Sequence, residues 1–168
     1  MNHNFYLEKM QNARLFTKDG GFALDLGCGD GRDSDFLASL GYEVVSVDKK
    51  SSYPGVVTSN IRDFYIEPEK YSFITCNNVL PFLVSKDEVK EMIKKMIVGL
   101  REGGYLYFTL FGKNSDIAVP VHFTYGEAED LIESLGIQAY EKYSREGPGT
   151  SMKGLPIHSH IHAFILKK

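Results

Sequence analysis

Residues 23–31 of this chain read Ala-Leu-Asp-Leu-Gly-Cys-Gly-Asp-Gly, and this stretch decides the predicted fold. The mostly apolar run Phe22 to Leu26 has the length and character of a buried strand, and it leads straight into glycines at alternate positions. Apolar residues at helical spacing then continue to a helix stop at Gly41. Since glycine permits positive φ angles and a close approach of the backbone to a ligand, the pattern predicts a strand, a ligand-binding turn and a helix in succession.

The next segment is a second strand that ends at an acidic residue. Tyr42 to Val47 is rich in valine, which is typical of a strand buried on both faces of a sheet. Asp48 follows at the carboxyl end of this strand, roughly 20 residues beyond the glycine loop. A carboxylate in that place accepts hydrogen bonds from the two hydroxyls of a ribose. The glycine loop and Asp48 together predict a nucleoside site.

The rest of the chain continues the alternation of strands and helices. Strands are predicted at Val56 to Ser59, Tyr71 to Cys76 and Tyr105 to Phe111, and capping boxes at Ser85 with Glu88 and at Thr124 with Glu127 open helices that reach Leu100 and Leu135. At the start of the chain, apolar residues at helical intervals predict a helix from Asn4 to Lys18.

The C-terminal part changes in character. Ile137 to Tyr143 and Ile157 to Leu166 are predicted to be strands, and the polar stretch Ser144 to Pro156, rich in glycine and proline, is predicted to be the loop that joins them. A connection of this kind favours an antiparallel pair over another crossover helix.

This order of elements predicts an α/β fold with a three-layer, doubly wound, seven-stranded sheet. The sheet is expected to be mostly parallel, with an antiparallel C-terminal hairpin. Ligands of such sheets bind at the carboxyl ends of the strands. We expect residues 1–168 to form a single domain, in which the helix within residues 1–20 packs on the cofactor side.

Composition excludes several classes of function. A net charge of −3 over 168 residues argues against nucleic acid as the main partner, because binding to a phosphate backbone requires a basic surface. No apolar run approaches the length needed to span a membrane, and the first residues lack the apolar core of a secretory signal. The two cysteines, Cys28 and Cys76, cannot form a disulfide framework, which favours the reducing cytoplasm.

The residues around the glycine loop bear on which nucleoside is bound. Nicotinamide dinucleotides use the pattern G-x-G-x-x-G, but Arg32 occupies the position of its last glycine. Asp25 and Asp30 also place negative charge beside a loop that would otherwise hold a pyrophosphate. A cofactor with a sulfonium and an ammonium group would be attracted by the same charges. A nicotinamide-dependent oxidoreductase is therefore the disfavoured alternative.

The segment from Ala23 to Lys50 resembles the first two motifs of class I S-adenosylmethionine-dependent methyltransferases, in particular the small tellurite-resistance-like branch. The resemblance continues at Asn60 to Phe64, which reads NIRDF, and at Tyr71 to Leu83, which reads YSFITCNNVLPFL. It implies a Rossmann-like methyltransferase fold, S-adenosyl-L-methionine as the cofactor, and no metal.

The resemblance also implies roles for individual residues. Asp25, Gly27 and Gly29 would hold the methionine end of the cofactor, and Asp48 would bind its ribose. Asn60 and the backbone of Ile61 would contact the adenine, with Asp63 as a competitor for that role. The asparagines after the fourth strand would face the amino-acid part of the cofactor or the acceptor. The complete set of expected cofactor residues is Asp25, Gly27, Cys28, Gly29, Arg32, Asp48, Lys49, Asn60, Ile61, Asn77 and Asn78.

Methyl transfer from a sulfonium is a direct displacement, so the protein mainly aligns the reactants and excludes water. A catalytic triad is not required, and we expect a small-molecule acceptor, enclosed by the loops at Pro81 to Ser85, Gly112 to Phe123 and Ser144 to Pro156. If an oxygen or nitrogen acceptor needs a general base, His122 in the loop after the fifth strand or a nearby tyrosine is a candidate. Tyr6 or Phe5 is a candidate for covering the cofactor from the opening helix, with ordinary core packing as the alternative. A binding module that keeps the cofactor pocket without turnover remains an alternative.

Three histidines alternate near the C-terminus. His158, His160 and His162 would share one face of a strand, which raises the possibility of a metal site. No acidic or thiol partner is obvious near them in sequence, so we expect a partly exposed histidine face, or a residue that transfers protons on the acceptor side, instead of a metal site.

Overall fold

Strands and helices alternate along the chain in the structure, a computed structural model that describes residues 5–17, 20–151 and 153–168. The strands are β1 (Gly21–Leu26), β2 (Tyr42–Asp48), β3 (Val57–Thr58), β4 (Tyr71–Cys76), β5 (Leu100–Phe111), β6 (Ala139–Thr150) and β7 (Pro156–Lys167). The helices are α1 (Phe5–Asn12), α2 (Arg32–Ser39), α3 (Lys86–Gly99) and α4 (Tyr125–Glu133), with a short 3₁₀ helix at Leu80–Phe82. Among the described helices, none has the length and apolar character needed to cross a membrane.

Within the described residues, seven strands form one sheet in the order β3-β2-β1-β4-β5-β7-β6. Strands β1 to β5 pair in parallel. Strand β7 is antiparallel to β5, and β6 is antiparallel to β7. The predicted α/β fold, with its mostly parallel sheet and antiparallel C-terminal strands, is confirmed.

The two faces of the sheet are covered by different helices, which makes three layers. Leu24 and Leu26 point to the face where α3 and α4 pack. Ala23 points to the opposite face, where α1 and α2 pack. This alternation follows from the two-residue period of a strand. Asp25 shares the face of Ala23, so its carboxylate points toward α2.

The opening helix is shorter than predicted. The sequence pattern extends from Asn4 to Lys18, but α1 ends at Asn12 and the chain turns at Arg14, whose φ is 57°. Asn4 and Lys18 lie outside the described residues. Met10 and Leu15 are buried in the same cluster as Leu7, although Leu15 is not helical, whereas Ala13 is exposed. Spacing alone therefore did not mark the end of this helix.

The loop predicted at Ser144 to Pro156 is wrong over its first half. Strand β6 continues to Thr150 and pairs with β7 as far as Pro156. Gly147 and Pro148 suggested a loop, but β6 is the edge of the sheet, where a proline is tolerated because one side of the strand has no partner. Strand β5 also begins earlier than predicted, at Leu100.

The two predicted capping boxes differ. At α4 both halves are present: the Thr124 hydroxyl accepts a hydrogen bond from the Glu127 N–H at 3.1 Å, and the Glu127 carboxylate accepts one from the Thr124 N–H at 2.8 Å. At α3 the Ser85 hydroxyl accepts from the Glu88 N–H at 3.1 Å, but the Glu88 carboxylate accepts from the Val84 N–H. The box at Ser85 and Glu88 is therefore only half of the predicted motif.

Candidate active site

A cavity of about 780 Å³ opens at the carboxyl ends of β1, β2 and β4. Every residue that the sequence predicts to contact the cofactor lies on its wall, although these residues come from separate loops. The described residues that line it are Tyr6, Asp25, Gly27, Cys28, Gly29, Asp30, Arg32, Asp33, Asp48, Lys49, Asn60, Ile61, Arg62, Asn77, Asn78, Val79, Phe82, Leu83, Tyr107, Thr109 and Ile161. Cofactor binding by each of them remains a prediction.

The glycine loop after β1 forms the floor of the cavity. The backbone N–H groups of Gly27 and Cys28 donate to the Val47 carbonyl, at 2.7 and 3.1 Å, and so fasten the loop to the end of β2. Gly27 has a φ of 78°, and a Cβ atom there would overlap the Val79 side chain. A side chain at this position would be strained and would also push back the loop after β4. The residue type is therefore dictated by the close approach of two loops.

Asp48 connects the end of β2 to the glycine loop. One carboxylate oxygen, Oδ2, accepts the Gly29 N–H at 3.1 Å, and the other, Oδ1, accepts the Lys50 N–H at 2.8 Å. The Ser51 hydroxyl donates to the Gly29 carbonyl at 2.5 Å. Because Asp48 is only partly buried and each carboxylate oxygen has two lone pairs, it can still accept hydrogen bonds from a ligand.

Asp25 is buried beneath the loop, with 2% of its surface exposed. Its Oδ2 accepts the Ser34 hydroxyl at 2.6 Å, and the Ser34 and Ser46 hydroxyls lie 2.7 Å apart. Burial raises the pKa of Asp25 to about 7, an effect that the Ser34 hydrogen bond partly opposes and the negative charge of Asp33 reinforces. Asp25 is therefore poised between its charged and neutral forms near neutral pH.

The loop after β3 carries the predicted adenine contact. Asn60 and Ile61 line the cavity, whereas the competitor Asp63 is exposed and is not among the described residues on the wall. The Asn60 side-chain oxygen accepts the Arg62 N–H at 3.1 Å, which holds the asparagine in a tight turn. Position therefore favours Asn60 over Asp63.

Two residues of β5, Tyr107 and Thr109, lie behind the loop after β4 and were not predicted from the sequence. The Thr109 hydroxyl accepts the Asn78 N–H at 2.7 Å and lies 3.3 Å from the side-chain oxygen of Asn77. The Tyr107 hydroxyl donates to the same Asn77 oxygen at 3.4 Å. Asn77 also donates from its amide nitrogen to Asp33 at 3.2 Å. The side-chain amide of Asn77 is thereby held in one orientation.

The other wall residues are mostly apolar. Phe82 and Leu83 lie in the segment Pro81 to Ser85, which the sequence predicts to enclose the acceptor. Val79 after β4 and Ile161 on β7 were missed, because in the sequence they look like ordinary core residues. Tyr6, the candidate for covering the site from α1, does line the cavity, and its ring lies 5.9 Å from that of Tyr107.

The charges of the wall are unevenly distributed. Arg32 pairs with Asp30 at 3.0 Å on the exposed rim, and Lys49 is exposed beside Asp48. Arg32 and Lys49, like the exposed Arg62, therefore sit at the solvent side, while Asp25 and Asp33 lie deeper. This pattern favours a ligand that carries positive charge toward the glycine loop.

His122, the candidate general base, is not among the described residues on the cavity wall. Its ring Nε2 lies 3.3 Å from the Ile117 carbonyl, within the loop that follows β5. The structure therefore does not bring His122 to the predicted cofactor residues.

Both cysteines are poor nucleophiles in this fold. Burial raises the pKa of Cys28 to about 11, and the charge of Asp25 adds to the effect. Burial also raises the pKa of Cys76. Because the thiolate is the reactive form, both side chains act as small apolar groups at neutral pH.

The three histidines of β7 share a face, as predicted. His158 Nε2 lies 2.9 Å from the Glu146 carboxylate, and the rings of His160 and His162 are 4.7 Å apart. Burial, and then the neighbouring His160, lowers the pKa of His162. In the part of the chain that the structure describes, no group of three or more His, Cys, Asp or Glu side chains is arranged to hold a metal ion.

The wall residues fit an adenosyl cofactor. The cavity has the size of ordinary small-molecule sites, which is roughly 300–1,000 Å³. Gly29 faces open space, since a Cβ atom there would meet nothing within 4 Å, so the backbone is accessible to a flat ligand. Asp48 offers a partly buried carboxylate on the cavity wall that can accept ribose hydroxyls, and Asp25 and Asp33 are the acidic residues available to a sulfonium and an ammonium.

Comparison with known proteins agrees with this fit. The chain is 32% identical over 124 residues to "Probable S-adenosyl-L-methionine-dependent methyltransferase TehB" of Haemophilus influenzae, a match that spans 66% of this chain and 43% of the relative. It is 27% identical over 110 residues to "Ubiquinone biosynthesis O-methyltransferase" of Paraburkholderia phytofirmans, over 56% of this chain and 46% of the relative. The chain thus spans less than half the length of these curated relatives.

Solved structures show the same fold. TehB from Haemophilus influenzae superposes with a TM-score of 0.75 at 22% identity, over 96% of this chain and 61% of TehB. The 1,6-didemethyltoxoflavin-N1-methyltransferase of Burkholderia thailandensis, solved with S-adenosylhomocysteine, superposes with a TM-score of 0.73 at 16% identity, over 98% of this chain and 77% of that one.

The family itself is identified from the sequence. The sequence model of the methyltransferase domain matches residues 2–147, which is most of the chain. Together with the relatives, it confirms S-adenosylmethionine as the cofactor predicted from the glycine loop and Asp48. The chain therefore belongs to the methyltransferase domain family, and its resemblance to class I S-adenosylmethionine-dependent methyltransferases is confirmed.

Proposed function

We propose that this chain transfers the methyl group of S-adenosylmethionine to a small-molecule acceptor by direct displacement. The observation that carries the proposal is the link between Asp48 and the glycine loop. The Asp48 carboxylate accepts the Gly29 N–H at 3.1 Å and also lines the cavity. A ribose bound by Asp48 would therefore lie directly against the accessible backbone of the glycine loop.

The residues of the wall have separate tasks in this reaction. When bound, the cofactor supplies an activated methyl group on a sulfonium. Asp48 binds the ribose, Asn60 and Ile61 contact the adenine, and Asp25 with the glycine loop holds the methionine end. Asn77, braced by Thr109 and Tyr107, orients the groups next to the methyl carbon. Their contribution to the rate is alignment and the exclusion of water, which is sufficient for a displacement.

A small-molecule acceptor is supported by the relatives and by the cavity. Two relatives carry names of small-molecule methyltransferases, one for ubiquinone biosynthesis and one for toxoflavin. The cavity is also of a size that holds a cofactor and a small acceptor together. The single sheet supports our proposal that residues 1–168 work as one domain.

Ligand binding tests the proposed site directly. S-adenosylhomocysteine should raise the melting temperature, since a ligand that binds only the native state stabilises it by RT ln(1 + [L]/Kd). Asp48→Ala should weaken its affinity by about 10- to 100-fold in calorimetry, because a hydrogen bond to a charged group contributes roughly 1.5–3 kcal/mol. Asp63→Ala, at an exposed position off the described wall, should bind with the affinity of the original protein.

Two results would contradict the proposal. Stabilisation by NAD with none by saturating S-adenosylhomocysteine would point to an oxidoreductase. Equal affinities of Asp48→Ala and Asp63→Ala would remove the ribose contact. A binding module without turnover is distinguished by a further measurement, because only an enzyme releases S-adenosylhomocysteine from S-adenosylmethionine when an acceptor is supplied.

A further inference from the structure

The part of the cavity left for the acceptor follows from the order of the strands. The predicted contacts of the nucleoside follow β1, β2 and β3, at one side of the sheet. The cavity continues past them over β4, β5 and β7. We call this part the acceptor wall, and it consists of Tyr6, Val79, Phe82, Leu83, Tyr107 and Ile161.

The acceptor wall is apolar and rich in rings. The Tyr6 ring lies 5.9 Å from Tyr107, and the Phe82 ring lies 6.2 Å edge-on from Phe111. Phe82 is 49% exposed, which is unusual for a phenylalanine and places apolar surface at the mouth of the cavity. Flat apolar ligands gain most from such a surface, because ring stacking adds to the burial of apolar area.

Positive charge lies at the other side of the cavity. Among the described residues that line it, the basic ones are Arg32, Lys49 and Arg62, which follow β1, β2 and β3. Arg32 is paired with Asp30 at 3.0 Å and Arg62 with Glu88 at 2.7 Å.

Negative charge, in contrast, borders the acceptor wall. Asp33 accepts a hydrogen bond from Asn77, which stands beside Tyr107. Arg145 is close enough to Tyr6 to lower its pKa, against the larger raising effect of burial, but Arg145 is exposed and is not among the described residues on the cavity wall. An acceptor anion would leave water for a wall that offers no cation and that has the Asp33 carboxylate nearby, and this transfer is costly. An acceptor cation would also lose its hydration to apolar side chains, and the Asp33 carboxylate that could pair with it already accepts the Asn77 amide.

We propose that the acceptor is an uncharged, flat aromatic molecule that bears a hydroxyl or a ring N–H. This inference rests on the proposed function and narrows its substrate class. A lone pair of the acceptor's oxygen or nitrogen forms the new bond to the methyl carbon, while the carbon–sulfur bond breaks and leaves its electron pair on sulfur. The proton of the O–H or N–H passes to water at the mouth of the cavity.

A matched series of catechols tests the charge of the acceptor. The probes are 4-methylcatechol, which is neutral, 3,4-dihydroxybenzoate, which is an anion, and dopamine, which is a cation. Their affinities are measured by calorimetry with the protein saturated by S-adenosylhomocysteine, and selenite serves as a small oxyanion. The neutral catechol should bind at least about tenfold more tightly than the other three probes.

A variant of the acceptor wall checks where the preference arises. Phe82→Lys places a cation at the exposed edge of the wall and should reduce the preference for the neutral catechol over the benzoate by up to about fivefold, the effect of one partly solvated ion pair. Tyr65→Lys adds the same charge at a residue that is 75% exposed and is not among the described wall residues, and it should leave the preference unchanged.

The outcomes separate the two proposals. Failure to bind S-adenosylhomocysteine in the first titration contradicts the proposed function. If it binds, the acceptor inference is overturned when an anion or the cation binds as tightly as the neutral catechol, when no member of the series binds, or when Phe82→Lys and Tyr65→Lys shift the preference equally.

Discussion

At the scale of single residues, the site depends on two aspartates in unlike surroundings. Asp48 is partly buried, and its carboxylate accepts two backbone N–H groups. Asp25 is buried and accepts the Ser34 hydroxyl, and desolvation raises its pKa to about 7. The same residue type thus serves once as a partly exposed acceptor of backbone N–H groups and once as a buried group that titrates near neutrality.

This difference predicts a pH dependence of stability. The folded-state pKa of Asp25, about 7, lies above the value near 3.9 expected for an unfolded chain. The folded protein therefore keeps a proton that the unfolded chain releases, and the contribution of Asp25 to stability falls as the pH rises from about 4 to about 7.

Asp25→Asn removes this titration. The difference between the free energies of unfolding of the variant and of the original protein should shift in favour of the variant by on the order of 2 kcal/mol between pH 5 and pH 8. The reason is that the original protein loses the contribution of Asp25 over this range. Urea unfolding without ligand at both pH values measures it. Asp63→Asn, at an exposed site, should keep the same difference from the original protein at both pH values, and parallel behaviour of the two variants would contradict the prediction.

At the scale of elements, local signals define the helix starts more firmly than the ends. The complete box at Thr124 and Glu127 opens α4, whereas α1 ends at Asn12 although its apolar spacing continues. A cap is a short-range hydrogen bond between neighbours in sequence, so the residues that form it are visible in the sequence. The end of α1 depends on how Leu15 packs against the sheet, which is a tertiary contact.

Thr124→Ala should lower the free energy of unfolding by roughly 1 kcal/mol, the usual cost of losing a side-chain N-cap. The affinity for S-adenosylhomocysteine should not change, because α4 packs on the face of the sheet opposite to Asp25. Chemical unfolding and calorimetry measure the two quantities. Ser52→Ala, at an exposed position outside the helices, is the control, and a loss of stability as large as that of Thr124→Ala would argue against the cap.

At the scale of the whole molecule, the central strands of the sheet are well buried, whereas one end of the β6–β7 pair has few supporting contacts. Strands β1 and β4 have neighbours on both sides and are buried along most of their length. The pairing of β5 with β7 ends at Phe111 and Ile161, and beyond that point residues 145–150 of β6 pair with residues 156–161 of β7. Among the described residues, contacts of the loop after β5, such as Asp116 with the His158 N–H, support this end.

Hydrogen exchange followed by mass spectrometry should reveal this difference. Peptides that cover residues 71–76 should exchange only by global unfolding, whereas peptides that cover residues 145–150 should exchange at least about tenfold faster, because local opening there breaks few buried contacts. Addition of S-adenosylhomocysteine should slow exchange in residues 27–31 more than in residues 145–150. Equal protection of the two regions without ligand would contradict the prediction.

The sequence by itself determined the strand, glycine loop and helix around residues 23–31, the placing of Asp48 at the end of β2, and the α/β class. These features depend on periodicity, on the conformational freedom of glycine and on neighbours in the chain, all of which are local. The strand Tyr71–Cys76 was predicted with its observed bounds for the same reason, since it is a short run buried on both faces.

Only the tertiary structure decided which distant residues meet. It places β7 between β5 and β6, extends β6 to Thr150, brings Tyr107 and Thr109 behind Asn77, and leaves His122 away from the predicted cofactor residues. The physical reason is that the alternation of a strand shows which side chains share a face, but not which strand lies alongside it. Pairing across the sheet is decided by packing between segments far apart in sequence, and the acceptor wall is built from such pairings.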